Sequence, residues 1–85
     1  MSKIKINGVV GRTDFYDEVN MFRFQVLVDY GESVAWYDCK RFGKADVKKG
    51  DTVEVDGELR LVKWLDNENV EHTSKQIIVE HVKVI

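Results

Sequence analysis

The sequence predicts an all-β domain, a small barrel of five strands, and three observations carry that expectation. Apolar and polar residues alternate with a period of two along most of the chain. No segment shows a long helical apolar stripe. Glycines fall inside two of the expected strands, where a strand can bend sharply or bulge. At 85 residues the chain is expected to be one domain, residues 1–85. A domain this short buries roughly 60% of the surface its unfolded chain exposes, so self-association would add needed stability. Hydrophobic residues at 44% and charged residues at 33% give a globular rather than a disordered balance. No run reaches the roughly 18 apolar residues of a membrane-spanning helix. The start, Met1 to Asn7, lacks the apolar stretch of a signal peptide, so a cytoplasmic location is expected.

The first strand is expected over Ile4–Val10, with Ile4 and Ile6 alternating against Lys5 and Asn7 before Gly8 and Gly11. Arg12–Asn20 follows as an acidic loop or strand extension. The second strand, Met21–Tyr30, puts Phe22, Phe24, Val26 and Val28 on one face and Arg23, Gln25, Leu27 and Asp29 on the other. Gly31-Glu32 fits a two-residue hairpin turn with glycine first. The third strand runs from Ser33 to about Phe42, and Lys44–Lys49 is expected to form one short helical turn. Lys49-Gly50-Asp51 is a turn signal ahead of the fourth strand, Thr52–Leu65, which has Gly57 near its middle. Asp66-Asn67-Glu68-Asn69 closes a long hairpin onto the last strand, Val70–Ile85. There Ile77, Val79 and His81 share a side, and Ile78, Val82 and Val84 break a strict alternation.

Five bent strands with a short helix between strands 3 and 4 describe the OB-fold, a Greek-key barrel. Closure removes most exposed edges, which suits a chain without proline to guard them. An SH3-like barrel is the geometric competitor, with shorter strands and no helix at that place.

Chemistry is excluded more readily than it is found. The single Cys39 has no partner for a disulfide or a zinc site, and its apolar-aromatic surroundings suit a small buried side chain. His72 and His81, nine apart, lack metal spacing and an evident catalytic partner, and read as structural or surface residues. No phosphate loop, nucleophile elbow or Ser/His/Asp constellation occurs. No enzyme, metal or cofactor is expected. Net charge is -2, from 13 basic and 15 acidic residues, which does not favour a nucleic-acid partner unless the cations are gathered in one place.

The third and fourth strands gather them. One face of the third strand reads Trp36, Asp38, Lys40, Phe42, opposite Tyr37, Cys39 and Arg41; on the fourth, Glu58, Arg60, Val62 and Trp64 share a face, opposite Leu59 and Leu61. Flat aromatics set among Arg and Lys are what an unpaired nucleic acid needs, because each base stacks on a ring for about 1–3 kcal/mol while cations neutralise phosphates. Aromatics are also ordinary on half-buried strands, and a lone Trp reads equally as core or subunit interface.

A resemblance bears on that choice. Trp36 to Ala45, W-Y-D-C-K-R-F-G-K-A, resembles the W-x-x-x-x-x-F-G-K segment of bacterial single-stranded DNA-binding proteins. Val47 to Trp64, V-K-K-G-D-T-V-E-V-D-G-E-L-R-L-V-K-W, is similar to that family's K-K-G-x-x-V-x-(V/I)-x-G-x-L-R-x-x-x-W with its spacing kept. Gly11-Arg12 and F-Q-V-L-V at Phe24–Val28 also match. The resemblance implies an OB-fold that binds single-stranded DNA without sequence readout as a homodimer or homotetramer, in replication, recombination or repair of host, plasmid or phage DNA. Its stacking aromatics fall on Trp36, Phe42 and Trp64. Its basic contacts fall on Lys44, Arg60 and Lys63, with Arg12 and Lys40 as additions; Arg23 joins them only as a cation on the outward face of the second strand.

The departures shape the expectation. The chain stops at Ile85, without the flexible linker and acidic tail through which typical members recruit enzymes, so tail-mediated recruitment is not expected. The short Gly31-Glu32 turn replaces a longer connection. Asp38 stands on the presumed binding face, and acids populate both flanking loops: Asp14, Asp17 and Glu18 in one, Asp66, Glu68 and Glu71 in the other. Such acids weaken attraction for phosphates and also serve solubility and turns. The alternative is an OB-fold interaction module or primosome-type accessory subunit that keeps the barrel and uses its surface for protein contacts.

Overall fold

The computed structural model describes residues 2–85. Its strands are β1 (Ser2–Tyr16), β2 (Met21–Asp29), β3 (Val34–Phe42), β4 (Thr52–Leu65) and β5 (Glu71–Val84). They close in the order β1-β2-β3-β5-β4, with β4 returning to β1. All neighbours are antiparallel except β3 and β5, which run parallel. This is the expected OB-fold barrel.

Alternation decides what lies inside. On β2, Phe22, Phe24, Val26 and Val28 are buried, and Tyr37 and Cys39 from β3, Val53 and Val55 from β4, Ile77 from β5 and Ile6 and Val10 from β1 join them. Dry surroundings push the Cys39 thiol up to about 12, with the neighbouring Asp38 charge adding to the effect, so it stays an uncharged core side chain. Tyr37 is also buried; its hydroxyl meets that of Tyr30 at 2.9 Å, a hydrogen bond that raises the Tyr30 pKa.

β1 is longer than its expected span and serves two partners. Residues 2–9 pair with β4 and residues 9–16 with β2, with a bulge between Val10 and Arg12 where the strand turns from one to the other. The acidic stretch after Gly11 is therefore strand as far as Tyr16, followed by a single 3-10 turn at Asp17–Val19. Gly57 sits where β4 bends across β5: a Cβ there would lie 2.1 Å from the Ile78 carbonyl oxygen. A second bulge at this point explains the broken alternation of the last strand. Gly57 pairs with Val79 but Asp56 pairs with His81, so Glu80 is the extra residue. Val79 and Val82 both pack on the core as a result, while His81 is exposed and does not continue the Ile77–Val79 side.

The expected helix between β3 and β4 is absent. Lys44–Lys49 keeps the period of two instead: Val47 is buried, Ala45 packs on the core, and Lys44, Asp46 and Lys48 face water. Val47 is seated at the end of the barrel without a helical turn. A turn then locks the segment in place. Gly50, at φ +93°, donates its N–H to Val10, and Asp51 accepts from the Lys48 N–H at 2.9 Å. The Gly31-Glu32 turn forms as expected, with Gly31 at φ +93° and the Tyr30 N–H bonded to the Ser33 carbonyl.

Candidate nucleic-acid interface

Strand register aligns the outward residues in rows that cross the whole sheet. Arg12, Gln25, Asp38, Gln76 and Arg60 pair in succession from β1 through β2, β3 and β5 to β4. The next row is Asp14, Arg23, Lys40, Ile78 and Glu58. Trp36 stands on β3 one row to one side of these, and Phe42 one row to the other. The sheet thus brings Arg12, Arg23, Trp36, Lys40, Phe42 and Arg60 onto one curved outer surface.

The three aromatics are open to solvent: Trp36 is 52%, Phe42 71% and Trp64 47% exposed. Each has a different support. The Trp36 ring lies over Gly11, where an added Cβ would stand 2.7 Å from the indole, so the bulge glycine is its seat. Phe42 ends β3 beside a groove of about 290 Å³ lined by Met21, Lys40, Arg60 and Ile78. Trp36 borders a second groove of about 340 Å³, with Asp38, Ser74 and Lys75. Both grooves have one origin. Among the described residues the β3–β5 ladder spans just Asp38–Lys40 and Gln76–Ile78, and the surface opens on either side of that short seam.

Trp64 stands on the part of the β4–β5 hairpin that projects past the barrel. Its Nε1 donates to Ser74 Oγ at 2.9 Å, and its ring stacks on His72, centroids 4.5 Å apart and planes 22° apart. His72 Nε2 in turn donates to Asp66 Oδ2 at 2.7 Å. The other Asp66 oxygen accepts from the Glu68 and Val70 N–H groups, closing the hairpin turn. The His72 bond first, and then these two backbone bonds, hold the Asp66 carboxyl below the usual carboxylate range.

The cations are gathered but not unaccompanied. Arg12 bonds Asp14 at 3.0 Å, Arg60 bonds Glu58 at 3.0 Å, and Arg23 bonds Asp38 at 3.2 Å. Lys40 reaches the Gln76 side chain at 3.4 Å. The first two pairs are exposed, and exposed pairs contribute about 0–1 kcal/mol, so a phosphate can replace the carboxylate at little cost. The Arg23–Asp38 pair is partly buried, and it explains why an acid stands on this face: Asp38 orients Arg23 across the β2–β3 ladder.

Two expected contacts lie elsewhere. Lys44 sits 5.8 Å above the Phe15 ring, a side chain packed against the core, so it covers the barrel end rather than the outer rows. Lys63 alternates with Trp64, which puts it on the opposite face of the hairpin, 3.6 Å from Glu71. Sequence reasoning missed the β5 contributors, Gln76, Ser74 and His72. Counting outward from the expected Asp66–Asn69 turn puts Glu71 across from Trp64; the loop also takes in Val70, and that one extra residue brings His72 opposite Trp64.

The sequence model of the single-strand binding protein family matches residues 7–85. No curated protein matches the chain in sequence. Among solved structures, the mitochondrial single-stranded DNA-binding protein Rim1 of S. cerevisiae superposes with a TM-score of 0.78 at 15% identity, over 99% of this chain and 94% of that one. The small single-stranded DNA-binding protein of Streptomyces coelicolor gives 0.76 at 16% identity, again over 99% and 94%. At such identities the superpositions speak for the barrel, while the family match spans nearly all of the sequence. With the outer face and its open rings described, the chain belongs to the single-strand binding protein family.

Proposed function

We propose that this protein binds single-stranded DNA without reading its sequence, by stacking bases on Trp36, Phe42 and Trp64. One observation carries the reading: three aromatic rings stand about half-exposed or more on the barrel's outer face and its projecting hairpin, while Phe22 and Phe24 are enclosed and Phe15 packs on the core. Exposed rings are a poor use of apolar area in a domain this small unless something covers them. Arg12, Lys40 and Arg60 lie in the rows between the rings and are the cations placed to meet the backbone. Arg23 supports them from its bond to Asp38; Lys44 and Lys63 would reach only a strand that wraps past the barrel end or the hairpin edge. Duplex is disfavoured because paired, stacked bases present no free faces. Family membership supports the same reading and points to work in replication, recombination or repair as a homodimer or homotetramer.

Titration with oligo(dT) at low salt tests it. Trp36 and Trp64 are the two tryptophans of the chain, so stacking quenches its emission directly. Trp36→Ala and Trp64→Ala are each expected to weaken binding by about tenfold or more, following about 1–3 kcal/mol per stacked base. Log affinity falls with log salt at about -0.7 per phosphate contact. Affinity unchanged in both variants would refute the reading and leave the surface to a protein partner.

A further inference from the structure

We propose that His72, held by Asp66, is a positioning residue for Trp64, closing one face of this indole so that a base is received on the other. The inference rests on the single-strand binding reading and adds a residue that does not itself stack on DNA. Trp64 stands on a projecting hairpin with no barrel beneath it, so its ring orientation must be fixed locally. Two contacts do so from β5: Ser74 takes the Nε1–H at 2.9 Å, and the imidazole covers one face at a centroid distance of 4.5 Å. The 2.7 Å bond to Asp66 fixes the imidazole itself, and Asp66 is anchored by two backbone N–H groups of the turn. The chain of contacts runs from turn to carboxylate to imidazole to indole. One face of Trp64 is thereby closed, and a base meets the other.

The groups around the imidazole are few. Asp66 faces it from the turn, Trp64 from β4, and Ser74 adjoins on its own strand; Arg60 and Gln76 lie further along the same face, while the Lys63–Glu71 pair occupies the other. Asp66 is thus the one acid in contact with the imidazole among the described residues.

The experiment uses the full chain carrying Trp36→Phe, so that Trp64 is the sole reporter. His72→Ala is expected to move Trp64 emission in the free protein toward that of a solvated indole and to weaken oligo(dT) binding three- to tenfold. His72→Phe, which still stacks on the indole, should restore both emission and affinity to within twofold. Asp66→Asn can still accept the turn N–H bonds but holds the imidazole less firmly, and should weaken binding less than His72→Ala does. Unchanged Trp64 emission, or full affinity, in His72→Ala overturns the proposal. Failure of the wild-type chain to bind oligo(dT) at all is a different result: it removes the binding reading itself, and this proposal with it.

Discussion

The two halves of β4 use the same alphabet for opposite ends. Before Gly57, Val53 and Val55 are fully enclosed; beyond it, Leu61 and Leu65 are more than 60% exposed, and Val62 and Trp64 stand open on the other face. One continuous strand carries both, paired to β5 along its whole length. The difference is what lies behind the strand. In the first half the barrel closes over the inward side chains, and burial stabilises at roughly 25 cal/mol per Å² of apolar area. In the second half the hairpin has left the barrel and neither face is covered. Apolar residues there add little to folding and remain available to a ligand. Burial, not composition, separates the scaffold from the binding surface.

Substitution in the enclosed core and on the projecting hairpin should show this contrast most visibly. Phe24→Ala removes a ring with 1% exposure from the enclosed side and is expected to cost about 3–5 kcal/mol. For a domain with a total of about 5–15 kcal/mol this threatens folding at 37 °C. Leu61→Ser on the projecting hairpin should shift stability by no more than about 0.5 kcal/mol. Urea unfolding followed by tryptophan emission measures both. Similar losses in the two variants would mean that the hairpin is covered in solution, by a second copy or by the barrel itself.

Gly11→Ala sharpens the comparison from within the barrel. Its new methyl would meet the Trp36 ring at 2.7 Å, and a half-exposed indole can swing away where a core ring cannot. Stability is therefore expected to fall by about 1 kcal/mol, at the low end for overpacking. Oligo(dT) affinity should fall about tenfold, because the platform is displaced rather than removed. Measuring the two together decides the matter: a loss of stability with intact binding would show that Gly11 serves the bulge and not the indole.

Legibility in the sequence followed the same boundary. The alternation of β2 and the first half of β4 was readable because an enclosed face enforces it at every second residue. The last strand was not, since the bulge at Glu80 is set by the bend at Gly57 opposite and leaves no mark of its own residue type. Lys44–Lys49 is short enough to read as one helical turn, yet Val47 and Ala45 packing at the barrel end and the Gly50-Asp51 turn after them fix it without one. At the site, the aromatics were legible because alternation sets Trp36 and Phe42 on one strand face with Lys40, and Trp64 on another with Arg60. The partners of the cations divide in two. Arg12–Asp14 and Glu58–Arg60 are two apart on a strand and so share a face, which sequence could have told. Arg23–Asp38 and His72–Trp64 depend on register between strands, and register depends on turns and bulges.

Acid sharpens the contrast with the smallest effect. The folded hairpin holds the Asp66 carboxyl below its unfolded value of about 3.9, so its contribution is present above that pH and is lost as pH falls through the lowered folded value. Asp66 lies wholly at the turn, and its loss should loosen the hairpin end without opening the barrel. Amide exchange near pH 3 is expected to quicken at Glu68 and Val70, whose N–H groups Asp66 accepts, while Phe24 and Val55 stay protected. Simultaneous loss of protection at all four would make the hairpin and barrel one cooperative unit, and the exposed half of β4 would then be part of the scaffold after all.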